Sequence, residues 1–173
     1  GVVSGVLLAV IDRLKLTHQQ QLDFLFTAGA FGLVIANNAS ISGAEGGCQA
    51  EVGSASAMAS AALVAASGGT PDQSAQAVAI TIKNMMGLIC DPVAGLVEVP
   101  CVKRNALGSS QAFISADMAL AGIRSVIPPD EVIHAMYQVG RQMPQIFKET
   151  AEGGLAVTPT AQRLSKEILE KQK

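Results

Sequence analysis

The chain has 173 residues, enough for one domain that buries roughly 70% of its unfolded surface. Its net charge is −2 and no basic stripe is present, which argues against nucleic acid as a partner. Aromatics make up 3% of the residues, and the apolar mass is Ala, Val, Ile, Leu and Met beside 17 Gly; this favours closely packed helices over a β-sandwich, so the expected fold is all-α, a compact multi-helix domain over 1–173 with cysteines in the loops between helices.

Mean hydropathy is +0.37, which raises the question of a membrane. The longest apolar stretch, Val52 to Ser67, is mostly Ala and Ser. A spanning helix needs about 20 strongly apolar residues. The stretch therefore reads as a buried helix of a soluble protein, with a membrane helix as the alternative. The chain opens without Met inside the apolar run Gly5-Val6-Leu7-Leu8-Ala9-Val10-Ile11 and shows no signal peptide, so it reads as a fragment of a longer polypeptide. Three cysteines, an odd number, argue against a secreted disulfide framework and for a reducing, cytoplasmic setting.

Taken in order, Thr17 caps a helix to about Asn37, with Leu22, Leu25, Phe26, Gly29 and Leu33 on one face. Asn37 to Gly47 is polar and glycine-bearing and reads as a loop. Cys48 opens a helix to about Ser67 that Gly68-Gly69 ends. Thr70-Pro71-Asp72-Gln73 is a capping box that starts a helix to about Met86. Gly87 to Cys101 carries Gly87, Pro92, Gly95 and Pro100 and cannot be regular helix. A helix follows from about Val102 to Arg124. Pro128-Pro129 starts another, with Asp130 and Glu131 in its first turn, and Pro144 bends or ends it. Gly153-Gly154 marks a turn, and Thr158-Pro159 starts a terminal helix reaching about Glu170. Strand is expected for fewer than about one residue in ten.

The cysteines carry the chemistry. Cys48, Cys90 and Cys101 all fall at predicted helix ends or in the loops between, among Gly, Pro and polar residues rather than in apolar runs. Cys48 at a helix N-terminus, and Cys101 beside a helix start near Lys103 and Arg104, sit where free N–H groups and the dipole stabilise a thiolate. Three thiolates suit a cube-shaped iron–sulfur cluster with one iron left open. Three unrelated buried thiols are the plain alternative. Zinc is another, although it favours four ligands with short pairs such as CxxC, and no such pair occurs.

The segments Asn38-Ala39-Ser40-Ile41-Ser42-Gly43-Ala44-Glu45, Gly47-Cys48-Gln49 and Glu51-Val52-Gly53 resemble the iron–sulfur-dependent L-serine dehydratases. So do Gly87-Leu88-Ile89-Cys90-Asp91-Pro92-Val93-Ala94-Gly95-Leu96-Val97, Val99-Pro100-Cys101, Arg104-Asn105-Ala106 and Gly153-Gly154-Leu155-Ala156-Val157. The cysteine spacings, 42 (48 to 90) and 11 (90 to 101), agree with that family. The resemblance implies a helical catalytic domain whose Cys48, Cys90 and Cys101 ligate a [4Fe-4S] cluster. It implies conversion of L-serine to pyruvate and ammonia, without pyridoxal phosphate, for which no lysine here has a convincing context. Single-chain members can end in a cysteine that reaches the site; this chain ends Ile168-Leu169-Glu170-Lys171-Gln172-Lys173 and looks more like the C-terminal part of the α chain of the two-subunit type. The implied partners are then a separate β chain and an N-terminal part of the α chain, in a homo- or hetero-oligomer. A related iron–sulfur lyase for cysteine or threonine, and a non-catalytic helical interaction subunit, are the rival readings.

A substrate carboxylate and ammonium need polar partners near the open iron. Asn38, Ser40 and Ser42 stand in the loop before Cys48 and also suit turn and cap chemistry. Arg104 can fork a carboxylate, and Asn105 follows it. Asp91 suits a turn cap. Glu45 and Glu51 flank Cys48 as candidate bases, although a helix dipole also explains Glu51. His18 and His134 read as surface or core histidines, and the base is left unassigned. Met85, Met86 and Met118 read as core packing.

Overall fold

Two reciprocal caps set the starts of two long helices. The Thr17 hydroxyl accepts from the Gln20 N–H while Gln20 Oε1 accepts from the Thr17 N–H; Thr70 and Gln73 repeat the pattern. The computed structural model describes residues 1–171, and among them lie eight α-helices and no strand, as the all-α expectation requires. They are α1 (Val2–Leu14), α2 (His18–Asn38), the one-turn α3 (Gly43–Gly46), α4 (Ser54–Ala66), α5 (Pro71–Met85), α6 (Cys101–Leu120), α7 (Pro129–Gln142) and α8 (Pro159–Lys171). Gln172 and Lys173, the last residues of the tail discussed above, lie outside the described residues. No helix is long and apolar enough to cross a membrane among the described residues.

α4 is the central post, packed against α1, α2, α5 and α6. Its Ala57, Ala59, Ala61 and Ala62 are fully enclosed, and so are Ser56 and Ser60. A helix buried on every side has no polar face, so each of those hydroxyls must find a partner inside. Ser56 donates to the Val52 carbonyl and Ser60 to that of Ala57, while Thr81 and Ser74 of α5 reach Ser60 Oγ and the Ala61 carbonyl. The small side chains let neighbouring backbones approach. Gly32 of α2 sits where a Cβ would come within 2.8 Å of Met58 Cε.

One core cluster joins α1, α2, α4 and α6 through Val2, Val6, Val10, Phe24, Leu63, Ala112 and Ala116, and takes in Cys48 and Cys90 at its edge. A second joins Ile35, Ala57, Ala61, Val78, Ile82, Val132, Ile133 and Met136 from α2, α4, α5 and α7.

Three local expectations are corrected. The buried face of α2 is Phe24, Ala28, Gly32 and Ile35; Leu25, Phe26 and Leu33 are exposed, because the stripe centred on Ala28 and Gly32 is the one that lets α2 approach α4 closely. The helix begun by Cys48 opens as a π-turn, Gln49–Gly53, and the preceding loop contains α3. α6 stops at Leu120 instead of Arg124. Gly122 at φ 84° turns left-handed, and the N–H groups of Gly122 and Ile123 return to the carbonyls of Ala119 and Met118.

Gly108 of α6 faces α4, and a side chain there would overlap Ser56 Oγ and stand 2.8 Å from Val52 Cγ1. Gly108→Val is expected to lower unfolding free energy by about 1–3 kcal/mol in a urea titration, with an unchanged m-value.

Candidate metal centre

The approach to Cys48 is built from glycine. Ser40 Oγ accepts from the Ser42 N–H and donates to Glu45 Oε2, closing the turn before α3. Gly47 then adopts φ 76°, and a Cβ on it would lie 2.7 Å from Met143 Sδ and 2.9 Å from the Leu88 carbonyl oxygen. Only glycine allows both the turn and the close approach. Cys48 follows at the head of the π-turn, a helical irregularity often found at functional sites.

Gln49, buried among α7 and the loop after α5, secures that turn. Its Nε2 donates to the Met136 carbonyl at 3.0 Å and its Oε1 accepts from the Gly87 N–H at 2.8 Å, while its own N–H donates to the Leu88 carbonyl. The loop that carries Cys90 is thereby fastened to the segment that carries Cys48. Cys90 also pairs with the loop after α7: its N–H donates to the Phe147 carbonyl, and its carbonyl accepts from the Glu149 N–H. Glu149, at φ 66°, and Ala94, at φ 57°, hold left-handed backbone beside the site, a strain that surrounding structure must sustain.

Cys101 is the first residue of α6, and Arg104 lies one turn further on. Arg104 Nη1 donates to Asp91 Oδ1 at 2.6 Å and to the Ile89 carbonyl at 2.7 Å, and lies 3.9 Å from Cys48 Sγ. Asp91 is 2% exposed and its other oxygen accepts from the Leu155 N–H at 2.7 Å. Here the Gly153-Gly154 motif finds its reason: Gly154, at φ 58°, packs so closely on Asp91 that any side chain would collide with the carboxylate.

The three cysteines are all buried and unpaired. Cys48 Sγ, Cys90 Sγ and a Glu51 carboxylate oxygen lie within 4.8 Å of one another; Cys101 lies outside that trio. A hydrogen bond from the Cys90 thiol, with Arg104 adding to it against the cost of burial, holds Cys48 below the ordinary thiol range. Cys90 is pushed up by that same hydrogen bond and by burial, and burial raises Cys101. The Arg104 guanidinium, 3.9 Å from Cys48 Sγ, favours a thiolate there.

The other sequence candidates are distributed as follows. Asn105 Nδ2 donates to the Cys101 carbonyl at 2.9 Å. Ser42 precedes α3, whose Gly43 faces Cys90 Sγ. Ser40 faces a cavity of about 290 Å³ with Glu45, Tyr137 and Arg141. Asn38 donates to the Val34 carbonyl and borders a separate hollow beside Asp130 and His134, away from the thiols. His18 and His134 are exposed. Sequence reasoning took Asp91 for a turn cap and missed its buried ion pair. It also missed Gln49 and Glu149. A glutamine beside a motif cysteine was the available signal for the first; no local signal marks Glu149.

The donor set fits an iron–sulfur group. Soft sulfur ligands select iron–sulfur clusters, and a Cβ on Gly43 would stand 3.3 Å from Cys90 Sγ, so the glycine leaves room at the thiol. The serine dehydratase alpha chain family model matches residues 1–156. The chain is 68% identical over 168 residues to the probable L-serine dehydratase, alpha chain, of Bacillus subtilis (strain 168), covering 97% of this chain and 56% of that one. It is 57% identical to the probable L-serine dehydratase, alpha chain, of Latilactobacillus sakei, covering 97% and 80%. It is 48% identical to the L-serine dehydratase, alpha chain, of Peptoniphilus asaccharolyticus, covering 98% and 58%. The chain thus spans little more than half the length of two of these relatives.

Arg104→Met leaves Asp91 as an uncompensated buried charge, and a loss of about 3–5 kcal/mol is expected in denaturant unfolding. Adding Asp91→Asn to that variant should recover part of the loss, because the charge is removed with its partner.

Proposed function

This chain belongs to the serine dehydratase alpha chain family, and from that premise we propose that it is the cluster-bearing catalytic part of an enzyme that deaminates L-serine to pyruvate and ammonia. The observation that carries the reading is the convergence of Cys48, Cys90 and Glu51, with Cys101 and Arg104 at the head of α6 beside them. Cys48, Cys90 and Cys101 would hold a [4Fe-4S] cluster. When bound, its open iron supplies Lewis-acid assistance to departure of the β-hydroxyl.

The protein's own part begins with charge. Arg104 lowers the cost of gathering thiolates in a buried place and is fixed by Asp91. It makes its hydrogen bonds through Nη1, which leaves the rest of the guanidinium for a substrate carboxylate. Asn105, Ser42 and Ser40 are the proposed polar groups for the remaining substrate atoms, and Asn38, bonded to the end of α2, is the outermost of the set. The reading needs no pyridoxal phosphate.

Surface composition supports assembly with further segments. Leu25, Phe26, Leu33 and Ile41 are exposed together along one apolar groove of α2, the kind of contiguous apolar surface that marks an interaction site. We place a β chain, and the remainder of a longer α chain, against such surfaces. Three unpaired buried thiols suit a reducing, cytoplasmic compartment.

Reconstitution of the full-length enzyme without oxygen should yield about four irons per chain and broad absorption near ~400 nm, both lost in Cys48→Ser, Cys90→Ser or Cys101→Ser. L-Serine should then release pyruvate, faster than cysteine or threonine. An intact cluster with no turnover of L-serine would refute the substrate, and no iron uptake would refute the cluster.

A further inference from the structure

Three groups that can carry negative charge converge over Gly43. A Cβ at that glycine would stand 2.9 Å from Glu51 Oε2, 3.3 Å from Cys90 Sγ and 3.3 Å from Glu149 Oε2. Neither Glu51 nor Glu149 forms an ion pair among the described residues. The Arg104 guanidinium beside Cys48 is held by Asp91 through Nη1. Two carboxylates packed round one point repel each other unless a proton or a cation lies between them, and the thiol beside them supplies a metal donor.

Position also separates Glu51 from the thiols. Cys48 and Cys90 are each 2% exposed, whereas Glu51 is exposed and borders an apolar groove along α2 with Ile41, Met58 and Ser54. The Ser54 hydroxyl, buried in the same wall, has no hydrogen-bond partner among the described residues. Glu51 therefore lies on the side of the site that faces this groove. Three residues after Cys48, it is carried to the metal by the same π-turn that presents the thiol.

We propose that the Glu51 carboxylate is the resting ligand of the iron that the three thiolates leave open, released when the substrate hydroxyl takes its place. The proposal rests on the cluster reading above. A carboxylate oxygen is a harder donor than thiolate sulfur, so it holds that iron while remaining exchangeable. The step is a ligand exchange: one iron–oxygen bond breaks, another forms, and no electron is transferred. The freed carboxylate stays beside Glu149, Ser54 and the bound substrate.

The test is retention of the fourth iron in the full-length reconstituted enzyme. Glu51→Gln should lose one iron per chain about 10–100-fold faster than wild type under limited air, with the paramagnetic signal of a three-iron cluster appearing at the same rate. That signal itself reports a folded three-thiolate site. Glu51→Cys should keep the fourth iron at least as long as wild type, since thiolate replaces carboxylate. Glu51→Gln retaining it at the wild-type rate would overturn the assignment while leaving the cluster reading intact. A wild-type protein that takes up no iron would overturn both.

Discussion

The Asp91–Arg104 pair is the constraint on which the site depends. It joins the Cys90 loop to the first turn of α6, and through the Leu155 N–H it also captures the loop before α8. Two charges withdrawn from water repay that cost only when their geometry is tight and their remaining hydrogen-bonding positions are filled. The geometry is tight here: each Asp91 oxygen has a donor, and Arg104 Nη1 also reaches the Ile89 carbonyl, while the rest of the guanidinium stays open. The pair places a cation 3.9 Å from Cys48 Sγ without leaving it free to move. Thiolates, which the buried core would otherwise disfavour, become tenable there.

Gln49 plays the complementary part for the other half of the site. It is an uncharged residue in an enclosed position, and its amide meets a carbonyl of α7 and an N–H of the Cys90 loop. The two cysteines that approach most closely are thus held by one ion pair and one amide, each spanning segments distant in the chain. The glycines at 43, 47 and 154 remove the side chains that would fill or distort the space between. Close backbone approach by small residues, the rule that packs α4 into the bundle, is used again at its N-terminal end to bring the site together.

Charge balance gives this arrangement its direction. Arg104 lies on the inner side, beside Asp91 and Cys48, while Glu51 and Glu149 gather on the side of Gly43 and the α2 groove. Inner charges are neutralised within the protein. Outer ones are not, and they face the groove.

The sequence by itself determined most of the long helices, the Thr70 capping box, and the three cysteines with their glycine-rich settings, because caps, periodicity and Pro–Gly punctuation act over a few residues; α1 read only as an apolar run and α3 as loop. Its motifs also carried the family resemblance. It misassigned the buried face of α2, since Leu25, Phe26 and Leu33 look like core until α4 is seen to need Ala28 and Gly32 instead. Nor does α6 reach Arg124: Gly122, in the left-handed region, stops it at Leu120. Tertiary structure alone decided that Asp91 serves Arg104, that Gln49 spans two loops, and that Glu149 meets Glu51 almost a hundred residues away. Such pairings depend on where loops cross in space, and no local preference of the chain encodes that crossing.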